Sequence, residues 1–301
     1  MSLIVPCFAQ RLGSDYEILD SGKIFERMKF VSAEYPNFIR VSTAQNAFGL
    51  ANAGNSSDCW FDGTGVGCLN YFGIIQDYVA HPEGSDASNR LPTVLLSGAL
   101  HGNERVGPTA VMETTLLLLE AAACEALIQD NSWAEFRDGV SCQQKLRDRG
   151  TTDVQRRWLA RLVSTRRIII IPAANALGYF RNERGEGVVD PNRDFPYDQN
   201  PWECMQTIAG QMLNELFRTH IVQMALTYHA GITMIAYEWG AYPYLDVDSR
   251  QSPDHAAQDQ IASAFSRYGS GWSGETNYPY GPINDLLYAV RGGMEDWAYA
   301  G

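Results

Sequence analysis

Apolar positions along the chain fall into short bursts whose spacing alternates between helical and extended periods. From Ser21 to Glu34, Ile24, Phe25, Met28 and Val31 recur on one helical face, predicting a helix with Ser21 as candidate cap. Extended pieces follow at Phe38–Ser42 and Leu69–Gln76, separated by a Gly/Asn/Ser/Asp-rich stretch that reads as loops and turns. Leu91–Ser97 (LPTVLLS) predicts a buried strand. Pro108 then stands where a first helical residue belongs, opening a helix over Thr109–Ala123. Arg167–Pro172 (RIIIIP) is β-branched and continuous, as a strand covered on both faces should be. Beyond it the pattern predicts a helix over Cys204–Thr219, strands at Ile221–Tyr228 and Ile232–Trp239, and a helix over Asp254–Tyr268. Strands alternating with helices imply an α/β fold, with a mixed, mostly parallel twisted β-sheet and helices on both faces. No repeat and no linker-like composition interrupts residues 1–301, so the expectation is one domain.

Composition narrows the function. The net charge of −12 disfavours a nucleic-acid partner, which would require clustered Lys and Arg. The most apolar run, Val111–Ile128, is broken by Glu113, Glu120 and Glu125, so no segment reads as a membrane span. The opening Met-Ser-Leu-Ile-Val-Pro lacks the basic region and long apolar core of a signal peptide. None of the six cysteines forms a CxxC pair. Cys59 and Cys68 bracket a glycine-rich turn, and two readings stand side by side. One is a small-loop disulfide, which implies an oxidising, secreted or endomembrane setting; the other is unrelated thiols in a cytoplasmic protein.

Candidate chemistry begins at His101-Gly-Asn-Glu104, just past the strand ending near Ser97. The three-residue step brings an imidazole and a carboxylate to one side of a tight turn, a suitable donor pair for zinc. In open α/β sheets such residues gather at the carboxyl ends of strands. On its own, His-x-x-Glu also fits an ordinary surface loop. The longer run Leu96-Ser-Gly-Ala-Leu-His101-Gly-Asn-Glu104-Arg-Val-Gly-Pro108 resembles the zinc-site segment of the metallocarboxypeptidase superfamily, of the carboxypeptidase A and B type.

The resemblance implies a third ligand at the end of a distant later strand. Met224-Ala-Leu-Thr-Tyr-His229-Ala-Gly231 supplies His229, with Tyr-His-Ala departing from the family's usual Leu-His-Gly. His81 falls in a polar loop, His255 starts a helix, and His220 reads as a cation at a helix C-terminus. One zinc ion on His101, Glu104 and His229 keeps a fourth position open, as a catalytic site needs.

Two further segments carry the resemblance. Asn175 to Pro196 contains Asn192-Arg193, which matches the pair that binds the substrate's terminal carboxylate. An arginine shortly upstream polarises the scissile carbonyl in the family; Arg181 is the first choice and Arg184 its rival. Tyr288-Ala-Val-Arg-Gly292-Gly293-Met294-Glu295-Asp296-Trp297 resembles the lid segment, with Tyr288 as the tyrosine that closes over substrate and the glycines suiting a bending loop. Glu295 matches the position at the base of the terminal side-chain pocket. An acid there suits Lys or Arg, although a surface glutamate is the plain alternative.

The resemblance implies a zinc-dependent carboxypeptidase acting on peptide or protein C-termini. The family's general base, a glutamate on a strand beyond the lid, has no counterpart before Gly301. Two explanations follow: a chain whose C-terminal portion is missing, or an inactive relative that keeps zinc and peptide binding. A zinc deacylase of the aspartoacylase or succinylglutamate desuccinylase kind is the remaining alternative, and the lid segment speaks against it.

Overall fold

The computed structural model describes residues 17–130, 141–246, 250–269 and 277–301. Its strands are β1 (Ile39–Thr43), β2 (Tyr71–Ile75), β3 (Thr93–Gly98), β4 (Arg167–Ile171), β5 (Val222–Tyr228), β6 (Ile235–Tyr237) and β7 (Tyr280–Pro282). The α-helices are α1 (Ser21–Glu34), α2 (Ala44–Phe48), α3 (Asp86–Asn89), α4 (Val106–Gln129), α5 (Cys142–Asp148) and α6 (Asp153–Thr165). They continue with α7 (Ala176–Arg181), α8 (Ile208–Thr219), α9 (His255–Gly269), α10 (Ile283–Leu286) and α11 (Met294–Ala300).

Helix α1 forms over the predicted span, but its cap is Asp20, whose carboxylate accepts from the Lys23 amide; Ser21 is already helical. Helix α4 begins two residues before Pro108 and runs on to Gln129. A proline inside the first turn removes an amide that has no helical partner anyway, so it does not mark the first residue. Helix α8 starts at Ile208 rather than Cys204, because Thr207 caps it and Asp194 takes the Gln206 and Thr207 amides. His220 does sit at the C-terminus of α8. Burial, with Arg167 nearby, lowers its pKa, so it is a neutral imidazole and not the expected cation.

The main sheet has the order β1-β2-β4-β3-β5. Strands β4, β3 and β5 run parallel, while β1 and β2 add an antiparallel flank. Strand β4 shows why its isoleucine run is unbroken. Ile168 and Ile170 enter a core with Ile24, Met28 and Val111, whereas Ile169 and Ile171 enter the opposite core with Met212, Leu213 and Leu216. Each side chain moved from water to these cores is worth about 1.5–3 kcal/mol.

The apolar run at Ile232–Trp239 yields only the three-residue strand β6. It pairs in parallel with β7 in a separate two-stranded sheet and does not extend the main one. Cys59 and Cys68 form a disulfide, and so do Cys124 and Cys142. The second pair joins α4 to α5. No helix among the described residues is long and apolar enough to cross a membrane.

Candidate metal centre and substrate pocket

The parallel register sets Gly98 of β3 opposite Tyr228 of β5, so the turns leaving both strands emerge side by side. His101 and Glu104 occupy the first turn, with the Glu104 amide donating to the His101 carbonyl at 3.1 Å. His229 opens the second. The two imidazoles present Nδ1 to each other at 3.2 Å. Glu104 bridges them, with Oε1 2.9 Å from His101 Nδ1 and Oε2 2.7 Å from His229 Nδ1. The Ala230 amide donates to Oε2 at 3.0 Å and fixes the carboxylate from the β5 side.

This donor set fits zinc. Two nitrogens and a carboxylate lie within 4.8 Å of one another. Two nitrogens on a tetrahedral zinc ion stand about 3.3 Å apart, close to the separation of the two Nδ1 atoms. Burial would raise the Glu104 pKa, but the two imidazoles hold it down at about 2, so the ligand carboxylate is ionised.

Asp190 is a residue that the motif reading passed over. Its Oδ1 accepts from His101 Nε2 at 3.0 Å and from the Asn192 amide at 2.9 Å. Its Oδ2 accepts from Arg184 Nε at 3.0 Å. One carboxylate therefore orients a metal ligand, caps the turn Pro191–Arg193 and holds an arginine. Burial opposes its ionisation, but the His101 bond and the charges of His101 and Arg184 outweigh it and keep its pKa low. A carboxylate two residues before Asn192 in a Pro-containing turn was the available signal for such a cap.

The two candidate arginines have different partners. Arg181 closes α7 and turns away from the ligand cluster into a two-pronged pair with Asp58, at 2.9 and 2.8 Å. That pair lowers the Asp58 pKa and holds the guanidinium beside the Cys59–Cys68 loop. Arg184, the rival, lies 3.6 Å from Glu104 Oε1. Its carbonyl accepts from the Gly102 amide at 3.1 Å, which ties the Arg184 backbone to the ligand turn.

Asn192 Oδ1 accepts from the Met294 amide at 2.8 Å, locking the start of α11 to the Asn192–Arg193 turn. Arg193 lies near enough to Glu295 to favour its ionisation. Glu295 packs over Gly240, where an added Cβ would come 3.1 Å from Oε1. Burial pushes its pKa up to about 7, helped by the negative charges of Asp296 and Glu238. Burial likewise lifts Glu238 to about 7. Glu295 and Glu238 are half-buried and lie beside the buried Asp296. Tyr288 stands exposed between α10 and α11.

Gly292 in this segment is closely packed. Gly292 has φ +64, and a Cβ there would come 2.5 Å from the Arg193 carbonyl oxygen. It permits close approach of two backbones, which is the opposite of freedom.

Comparison with known proteins agrees with this geometry. Carboxypeptidase A from Helicoverpa armigera superposes with a TM-score of 0.59 at 17% identity, covering 94% of this chain and 61% of that one. Thrombin activatable fibrinolysis inhibitor gives 0.59 at 12% identity, covering 94% and 63%. The bovine form of that inhibitor, in complex with tick carboxypeptidase inhibitor, gives 0.57 at 12% identity, covering 94% and 82%. The chain thus spans about three fifths of the length of the first two, and at these identities the likeness concerns the fold. No curated protein matches the sequence significantly. The profile described as zinc carboxypeptidase matches residues 78–301, a stretch that holds the ligand turns, the Asn192–Arg193 turn and the Tyr288 segment; the chain belongs to the zinc carboxypeptidase family.

Proposed function

We propose that this chain forms the zinc-binding and substrate-binding part of a metallocarboxypeptidase that takes polypeptide C-termini and favours a basic terminal residue. One observation carries the reading: the convergence of His101 Nδ1, His229 Nδ1 and Glu104 beside Arg184 and the Asn192–Arg193 turn. Zinc, held by those three residues, supplies Lewis acidity when bound.

The chain's own groups orient the zinc ligands and bind the substrate. Asp190 accepts the Nε2 proton of His101, which leaves Nδ1 as the electron-pair donor facing the cluster. Arg184, rather than Arg181, donates to the oxygen of the scissile carbonyl as charge develops there. Arg193 grips the terminal carboxylate, and Asn192 adds its Nδ2 donor, since its Oδ1 is committed to the Met294 amide. Tyr288 closes over the bound end and excludes water. Glu295, with Glu238 behind it, offers a Lys or Arg side chain a carboxylate whose ionisation the incoming cation itself promotes. The two disulfides support an oxidising compartment.

The test is zinc content, followed by binding and cleavage of peptides ending in Arg, Phe and Glu. Tighter binding of the Arg peptide supports the reading, and a preference for the Glu peptide overturns the pocket assignment. Hydrolysis of an N-acyl amino acid but of no peptide would transfer the chain to the deacylase reading. Tight peptide binding without turnover would make it a binding relative.

A further inference from the structure

Within the segment that carries Tyr288, two halves are held very differently. The Val290 amide donates to the Gly240 carbonyl at 2.8 Å, and the Gly292 amide to the Tyr197 carbonyl at 2.9 Å. The Gly292 carbonyl accepts from the Phe195 amide at 3.1 Å. Among the described residues, nothing hydrogen-bonds Tyr288 or Ala289.

Arg291 lies between the tied positions. Its Nε is 3.6 Å from Asp198 Oδ2, and its guanidinium carbon is 5.2 Å from the centre of the Tyr242 ring. Asp198 is an unusual partner: it holds φ +52, and its Oδ2 is buried with no hydrogen bond. A partly buried carboxylate oxygen without a donor needs a nearby cation to offset its desolvation. Among the described residues, Arg291 is the one cation in ion-pair range of it. A planar guanidinium can turn its edge to a carboxylate and its face to an aromatic ring; an ammonium cannot do both. The three loops that meet here, 195–199, 240–244 and 288–293, are hydrogen-bonded to one another, and Gly240 packs against Glu295.

We propose that Arg291 is a positioning residue that clamps the downstream base of the Tyr288 segment to Asp198 and Tyr242. Val290 then becomes the pivot, and the closing movement is confined to Tyr288 and Ala289. Arg291 touches no substrate and acts on it only through Tyr288. In that respect the inference rests on the carboxypeptidase reading; the clamp itself does not.

The experiment has two arms on the zinc-loaded full chain. In the first, hydrogen exchange is measured at the Val290 and Gly292 amides. In Arg291→Ala and Asp198→Asn, exchange should quicken roughly three- to twentyfold at both, as for loss of an exposed ion pair and a cation–π contact. Arg291→Lys should fall between these variants and the parent protein. Amides of β3 and β4 should not change. Unaltered exchange at Val290 and Gly292 in Arg291→Ala would overturn the clamp.

The second arm measures dissociation of a tripeptide ending in Arg. The rate should rise by a similar factor in Arg291→Ala, and the same substitution should add nothing in a Tyr288→Ala background. An equal rise in that background would also overturn the proposal, because Arg291 would then act on the ligand by another route. Failure of the parent protein to bind the tripeptide would count against the carboxypeptidase reading, while the exchange arm still decides the clamp.

Discussion

The candidate metal cluster and the acidic group around Glu295 are tied through the Asn192–Met294 bond but are built differently. His101, Glu104 and His229 leave the ends of β3 and β5, whose parallel register fixes where each turn begins. Glu238 follows the short strand β6, Tyr288 follows α10, and Glu295 lies in the first turn of α11, held by single side-chain and backbone ties such as Asn192 to Met294 and Asp296 to Gly240. In the first region the backbone register sets the positions of the candidate ligands. In the second, position depends on many weak contacts, and buried acids make it sensitive to pH.

The largest expected effect lies in the first region. Removing one ligand, by His101→Ala or Glu104→Gln, should weaken zinc binding on the order of a thousandfold in a competitive chelator titration, about a third of a structural site's binding free energy. Asp190→Asn tests whether the orienting carboxylate belongs to the same unit. A loss of about 10- to 100-fold in zinc affinity is expected with the fold intact, and an unchanged affinity would detach Asp190 from the centre.

The pocket should respond less, and with a pH signature. Glu295 and Glu238 have folded pKa values raised to about 7 by burial, above the ordinary value of 4.5. The folded state thus holds more protons than the unfolded chain between those values, and stability should fall as pH rises from about 5 to 7.5. Binding of a peptide ending in Arg should strengthen over the same range as Glu295 ionises. Glu295→Gln should flatten both slopes and reduce the preference for Arg over Phe by roughly tenfold. A preference that persists unchanged in Glu295→Gln would move recognition to another group.

Arg181→Ala gives the smallest effect and sharpens the contrast from outside both regions. It strands the Asp58 carboxylate and should cost about 1–2 kcal/mol in urea unfolding, while zinc and peptide affinities stay unchanged. A drop in peptide affinity would return Arg181 to the site.

What could be read in the sequence divides along the same line. The strands β3, β4 and β5, with the candidate ligand turns after β3 and β5, were legible, because continuous apolar runs followed by polar turns leave one way to pack. Arg181 against Arg184 was not, since Arg181 ends α7 and Arg184 follows the left-handed turn at Asn182, so only the Asp58 and Asp190 partners decide between them. The Ile232–Trp239 run is apolar enough for a main-sheet strand, yet it serves the small sheet beside the pocket; periodicity carries no information about which sheet a strand joins. The Cys124–Cys142 disulfide escaped notice because its cysteines lie on separate helices, α4 and α5. The Gly292–Gly293 pair suggested bending, whereas crowding at Arg193 is the reason for Gly292.

The pairing of β3 with β5 also bears on the order of events in folding. Glu104 and His229 are 125 residues apart, so their meeting requires a long loop to close after β4 and α8 have formed between them. Contacts of such separation come late, because the entropy of closure is lost before the contact gives anything back. Zinc joining the two turns would therefore act on the finished sheet and not on its assembly. Unfolding should slow many-fold in the metal-loaded protein while refolding stays at its metal-free rate, which makes the ion a kinetic lock on β5 as well as a cofactor.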